Sequence, residues 1–368
     1  MSVICKIATA VPSNKYEQSH LASFMSNFLN HSDSQKRKLK LMYGKSGIDT
    51  RYSVIPDFAS TLDKREFFPK TKDLEPFPTI EHRMQYYNKT ALPICIEAIE
   101  KCLSEKISKQ QITHLITVSC TGLSAPGLDI DIVQHFKLNE TINRTSINFM
   151  GCYAAMHALK QADYICKSEE NAIVLIVCVE LCTIHFQKID DLDNNTANLL
   201  FADGAAVTLI VSDDYASKNK INGFEIKKFH SQVALNGKND MAWKLTSTGF
   251  LMTLSAYIPQ LIEKDIKLFF DKAISQLAIN KRKINHWAVH PGGRKILEVI
   301  QKELALEYTD LESSFRVLKN YGNMSSPTFL FVLKDILDTK INKDKKEKTF
   351  GVAFGPGLTM ESVILENV

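Results

Sequence analysis

Apolar residues in this chain fall into short continuous runs, separated by segments with helical spacing. His114-Leu115-Ile116-Thr117-Val118-Ser119-Cys120 is predicted as a buried strand. Thr121 to Gly127, rich in Gly and Pro, is the loop that should end it. A helix is expected from about Asp129 to Phe136, then a short strand from Ser146 to Phe149. Ala154, Ala158, Ala162 and Cys166 recur at every fourth position, which predicts a helix face of small residues suited to close packing. Ile173 to Val179 and Ala205 to Val211 are too apolar for strands with one wet face, so both should be covered on two sides.

The second half repeats the order. Trp287 to His290 reads as a strand ending in Pro291-Gly292-Gly293, followed by a helix with Ile296, Ile300 and Leu304 on one face. A loop at Asn320 to Asn323 should open a further helix through Phe329, Leu333 and Ile336. Phe350 to Phe354, Gly355-Pro356-Gly357 and Leu358 to Leu365 read as strand, turn, strand. Strands thus alternate with helices in each half, although no repeat is visible in residue identity. Phe67 to Pro78, with three prolines, should be irregular and peripheral, and Lys340 to Lys348 a solvated loop.

Composition narrows the class. The 368 residues are 45% apolar and 23% charged, enough for one large domain or two of ordinary size. A net charge of +4 is too small to argue for a nucleic-acid partner. The longest apolar runs fall well short of a membrane span. Met1 to Val11 is interrupted by Lys6 and lacks the layout of a signal peptide, so a cytoplasmic protein is expected. The eight cysteines form no C-x-x-C pair and no G-x-G-x-x-G is present, so neither metal nor flavin nor nicotinamide is expected. Cys95, Cys166 and Cys178 lie inside apolar runs and read as small buried hydrophobes.

Cys152 differs. It sits in Asn148-Phe149-Met150-Gly151-Cys152-Tyr153-Ala154-Ala155, between a short strand and a helix start. A helix N-terminus favours negative charge and can lower a thiol pKa. If His290 and Asn323 meet Cys152 in one pocket, an imidazolium would keep the thiolate, and the thiolate could take an acyl group from a thioester. Imidazole and amide N–H groups aimed at one oxygen would stabilise a thioester enolate. The trio suits decarboxylation of a β-carboxyl thioester, followed by attack of the carbanion on the acyl-cysteine. Taken singly, a His at a strand end and an Asn near a helix start are commonly structural.

Five motifs occur in order: Gly151-Cys152-Tyr153-Ala154-Ala155, Leu200-Phe201-Ala202-Asp203-Gly204-Ala205-Ala206, His290-Pro291-Gly292-Gly293, Asn320-Tyr321-Gly322-Asn323-Met324-Ser325-Ser326 and Phe354-Gly355-Pro356-Gly357. In these, over nearly its whole length, the chain resembles the type III polyketide synthases, the chalcone and stilbene synthase-like group, in their bacterial form. The resemblance implies an α/β thiolase fold, a five-layer αβαβα sandwich of two similar halves. Residues 1–212 would carry the nucleophile, and residues 213–368 the His and Asn. It implies a homodimer acting on acyl-CoA and malonyl-CoA, without a cofactor.

The resemblance also assigns roles. Cys152 would carry the acyl chain, and His290 and Asn323 would activate it and drive malonyl decarboxylation. Phe201 would be the gatekeeper between CoA tunnel and cavity, although a core aromatic fits its neighbours equally. Ser325, Gly355, Pro356 and Gly357 would shape the pocket. Lys38 and Lys45 match two basic positions used for CoA phosphates, and Leu41 stands at the third. The lining departs from the plant enzymes: Cys120, Cys182 and His185 replace threonines, Met252 replaces a second gatekeeper Phe, Trp243 a pocket Gly, Ala125 a Met near the dimer contact, and Ala353 a Gly before the turn. Trp for Gly should fill part of the cavity. A fatty or small acyl starter giving a pyrone, resorcinol or phloroglucinol is therefore expected rather than a coumaroyl product. The alternatives are a single-step ketoacyl-ACP synthase of the KAS III type and a catalytically silent partner protein. A cysteine hydrolase is disfavoured by the lack of a G-x-C-x-G elbow.

Overall fold

The computed structural model describes residues 2–29, 31–103, 107–255, 257–342 and 344–368. In chain order its strands are β1 (Ser2–Ala10), β2 (Asn14–Glu17), β3 (Thr50–Ser53), β4 (His114–Ser119), β5 (Asn143–Asn148), β6 (Ile173–Leu181), β7 (Asp203–Ser212), β8 (Phe224–Val233), β9 (Met241–Thr246), β10 (Gly249–Leu254), β11 (His286–Val289), β12 (Lys348–Gly355) and β13 (Thr359–Asn367). Among the described residues, nine of them form one mixed sheet in the order β11-β12-β13-β8-β1-β7-β6-β4-β5. β2 pairs with β3, and β9 with β10, away from it.

The large sheet contains one pattern twice. β1–β7 and β7–β6 are antiparallel and β6–β4 is parallel. Likewise β8–β13 and β13–β12 are antiparallel and β12–β11 is parallel. β5 extends the first copy beside β4. The copies join where β1 and β8 pair over Val3–Glu225 and Ile4–Phe224 alone. The repeat invisible in residue identity is thus present in strand order and polarity.

Helices Ala154–Ser168 and Ser326–Thr339 pack on each other and on strands of both copies. They share a buried core with Ile4, Ile116 and Ile176 from one copy and Ala353 and Val363 from the other. The small stripe Ala154, Ala158, Ala162 and Cys166 is buried there, which lets the helix lie close to the strands of both copies. Helix Ile80–Cys102 covers β1, β6 and β7 on the far side, and helix Ile258–Ser275 covers β8. The layers run helix, sheet, helix pair, sheet, helix, the αβαβα sandwich of the thiolase fold. Every residue of β6 and β7 is buried, as their apolar runs require.

Three expectations need correction. The strand placed at Ser146–Phe149 runs from Asn143 to Asn148, because Phe149 has a φ of 58° and leaves the sheet. Asn320 and Tyr321 belong to helix Glu312–Tyr321, held by Tyr321 stacking on Tyr52, so the loop is Gly322 to Ser325. Phe67 to Pro78 is irregular but not peripheral: Phe67, Phe68 and Leu74 are buried. The buried Asp57 carboxylate orders its start by accepting from the amides of Glu66, Phe67 and Phe68 at 2.8, 2.9 and 2.7 Å. In the stretch from Lys340, Lys343 lies outside the described residues, and Lys348 already begins β12. No helix among the described residues is long and apolar enough to cross a membrane.

Candidate active site

The chain turns sharply after β5. Phe149 and Gly151 both take positive φ, Gly151–Tyr153 forms a single 3-10 turn, and helix Ala154–Ser168 follows. A Cβ at position 151 would lie 2.3 Å from Pro356 Cδ. A Cβ at 355 would strike the Tyr153 ring at 2.5 Å and approach the Cys152 amide nitrogen at 3.3 Å. The Gly355-Pro356-Gly357 turn of the second half therefore presses directly on the backbone around Cys152, and glycine is needed on both sides of the contact. Gly357 has open space around it but a φ of 74°.

Cys152, His290, Asn323 and Ser325 line one buried cavity, with Cys120 and Pro356. His290 follows β11, and its backbone N–H donates to the Val352 carbonyl at 2.8 Å. Its imidazole is buried, yet neither ring nitrogen has a partner among the described residues. A buried polar group left unpaired costs about 1–3 kcal/mol, so a ring facing a cavity in this state is suited to meet a substrate. Asn323 lies in the loop before helix Ser326–Thr339. The Ser325 N–H donates to Asn323 Oδ1 at 2.8 Å, which fixes the amide's orientation. One donor of Nδ2 reaches the Gly292 carbonyl at 3.4 Å, leaving a second N–H. The Cys152 thiol points to Asn323 Oδ1 at 4.0 Å.

Burial works against the expected thiolate–imidazolium pair. Burial pushes the Cys152 thiol up to about 11; the Glu180 carboxylate adds to this, and contacts with Ser325 and Asn323 oppose it. Burial alone drives His290 down to about 3. The helix start is present, but removal from water opposes both a thiolate and an imidazolium.

Glu180 was not singled out from the sequence. It sits at the end of β6 and accepts from the Cys120 N–H (2.9 Å), the Thr121 hydroxyl (2.9 Å) and the Ser326 hydroxyl (2.8 Å). Burial raises its carboxyl to about 7. The available signal was a single acid closing an otherwise apolar run.

A second cavity adjoins the first, and Phe201, Cys182, Trp243 and Met252 border both. Trp243 on β9 is tied by its indole N–H to the Cys120 carbonyl at 2.8 Å. The expected filling of the pocket by this ring is thus a partition between two chambers. His185 borders only the second chamber. Its Nε2–H donates to the Thr121 carbonyl at 2.7 Å, and its Nδ1 accepts from the Phe250 N–H at 3.1 Å. Stacked on Phe250 at 4.2 Å and held near pKa 3 by burial, it is a wall residue with no polar atom to offer a substrate. Other polar side chains of this chamber are also occupied: Tyr16 by the Ile55 carbonyl, Asn194 by Asp191, Asn198 by the Gln187 carbonyl and Ser53 by Thr183.

Ala125 does not join the cavity. It is exposed in the loop after β4 and borders neither chamber. Lys38, Leu41 and Lys45 lie at i, i+3 and i+7 of helix Asp33–Lys45, all exposed on one face. That helix adjoins helix Leu192–Leu200, which ends at Phe201; Gln35 Nε2 reaches Asp190 at 3.5 Å just before it.

Residues 1–214 match the family model described as chalcone and stilbene synthases, N-terminal domain, and residues 225–368 match its C-terminal counterpart. The chain is 27% identical to the "alpha-pyrone synthesis polyketide synthase-like Pks18" of Mycobacterium tuberculosis, over 100% of this chain and 91% of that protein. It is 28% identical, again over its full length, to the "probable polyketide synthase 1" of Dictyostelium discoideum, but spans only 11% of that much longer protein. The crystal structure of PKS-I from the brown alga Ectocarpus siliculosus superposes with a TM-score of 0.90 at 28% identity, covering 100% of this chain and 98% of that one. With both halves matched and the elbow, His and Asn gathered in one cavity, the chain belongs to the chalcone and stilbene synthase family of type III polyketide synthases.

Proposed function

We propose that this enzyme loads an acyl-CoA starter onto Cys152 and extends it iteratively with malonyl-CoA. Neutral His290 accepts the thiol proton as Sγ attacks the thioester carbonyl, and CoA leaves with a proton returned to it. In the next half-reaction the malonyl carboxylate departs as neutral CO2. A cavity that disfavours charge favours this step, and the His290 and Asn323 N–H groups can hold the enolate oxygen. The resulting carbanion attacks the acyl-cysteine, which releases the thiolate. Thiol, imidazole and amide supply this chemistry without metal, flavin or nicotinamide.

One observation carries the reading of the starter. The second chamber is separated from Cys152 by Phe201, Cys182, Trp243 and Met252, and most of its polar side chains, His185, Asn194 and Asn198 among them, are bonded into the wall. The lining is mainly hydrocarbon, which suits an alkyl chain released as a pyrone, resorcinol or phloroglucinol. Incubation with malonyl-CoA and a panel of acyl-CoA starters, read by mass spectrometry, should give such products from alkyl starters. Exclusive turnover of coumaroyl-CoA would sink the alkyl assignment. A single condensation confined to carrier-bound malonyl would instead mark a ketoacyl synthase, and no turnover a silent partner.

Phe201 is the gate of this reading, and Lys38 and Lys45 take the CoA phosphates. The protein is read as a cytoplasmic homodimer. All eight cysteines are free thiols, in keeping with a reducing compartment. β5 is an edge strand paired only with β4, with outward-facing residues exposed, so a two-fold mate can continue the sheet through it. Analytical ultracentrifugation giving a monomer at micromolar protein would remove the dimer.

A further inference from the structure

The last carbonyls of an α-helix have no partners within it. At the end of helix Leu192–Leu200 they are taken by residues from distant parts of the chain. The Asn198 carbonyl accepts from the Arg51 guanidinium at 2.8 Å, and the Leu199 carbonyl from Gln18 Nε2 at 2.8 Å. The Leu200 carbonyl accepts from the Asn323 backbone N–H at 2.9 Å. The Phe201 carbonyl accepts from the same Arg51 nitrogen at 2.5 Å. In return the Ala202 N–H donates to the Asn323 carbonyl at 2.9 Å, so Phe201 and Asn323 form a small parallel bridge between the two halves. Arg51 Nε donates to Gln18 Oε1 at 2.9 Å, and both residues are only 4% exposed. A Cβ at Gly322, where φ is 70°, would meet the Leu200 carbonyl at 2.9 Å and Arg51 Cδ at 3.0 Å.

No carboxylate lies within ion-pair distance of Arg51 among the described residues. The buried Tyr43 and Asp203 favour its charge against the cost of burial, and the planar guanidinium fork faces the negative end of the helix, where it serves two carbonyls and one side chain together. We propose that Arg51 is a positioning residue that holds Phe201 and Asn323 in one frame, so that each extension meets the same gate and the same oxyanion donor. The inference rests on the roles given above to Phe201 and Asn323. Arg51 does not border the cavity that holds Cys152 and His290, and its guanidinium is turned to backbone carbonyls and Gln18, so acyl transfer to Cys152 does not require it.

The test separates two half-reactions. Arg51→Met should lower the kcat of malonyl-CoA decarboxylation about 10–100-fold through misplacement of Asn323. Acylation of Cys152 by the starter, read as the mass of the acyl-enzyme, should persist. Arg51→Lys keeps the charge without the fork and should recover only part of the loss. Wild-type decarboxylation in folded Arg51→Met overturns the proposal. So does an equal loss of both half-reactions, which marks a purely structural residue. Should Arg51→Met not fold, Gln18→Leu removes the donor to Leu199 and the Nε partner, and the same two readouts decide. Asn323→Ala runs alongside. Normal decarboxylation there refutes the role of Asn323 itself, whereas a defect there beside a normal Arg51→Met removes only the clamp.

Discussion

A thiol that burial pushes up to about 11 reacts with an alkylating agent only through a small thiolate fraction, and that fraction grows as pH rises. Inactivation by iodoacetamide should therefore accelerate about tenfold per pH unit between pH 7 and 9. It should also change little in His290→Gln, because a neutral imidazole is not what holds the thiol. A rate that levels off below pH 8, or collapses at pH 7 in His290→Gln, would restore the resting ion pair. The three residues that meet in the cavity were legible as types and motifs, since Gly151-Cys152 at a helix start and His290 at a strand end are local features. Their charge states were not. These depend on how much water remains around each group, which is set by residues as distant as Glu180, Phe201 and Trp243.

The hairpin β9–β10 and helix Leu192–Leu200 decide what the cavity can hold. Neither was predicted, because their inner faces line open space and lack the apolar period that marks a packed face. Strands β6 and β7, buried on both sides, were plain by contrast. The indole of Trp243 is pinned to the Cys120 carbonyl and edge-on to His185 and Phe250, at 5.7 and 5.8 Å. Trp243→Gly should join the two chambers and move the product mass spectrum toward longer starters or further extensions. Trp243→Phe keeps a ring but loses the pin, and should broaden the spectrum without moving its centre. An unchanged product set in Trp243→Gly would show that the ring does not divide the space.

The two halves hold each other through the central helix pair far more than through β1–β8, which contributes two residue pairs. Their topological kinship could not be read from the sequence because strand order and polarity leave no mark on residue identity. The connection runs through helix Asp213–Asn219, whose last residues are exposed. Limited trypsin cleavage after Lys218 should leave fragments that co-elute on a sizing column and still form product. Separation of the fragments would show that the shared core does not suffice. Cys152 comes from the first half and His290 and Asn323 from the second, and Pro356 of the second touches the elbow of the first. The polypeptide is built like a heterodimer joined in one chain, with the cavity of Cys152, His290 and Asn323 lined from both halves. Substitutions far from Cys152 that loosen this docking should then act on turnover before they act on either half's own folding.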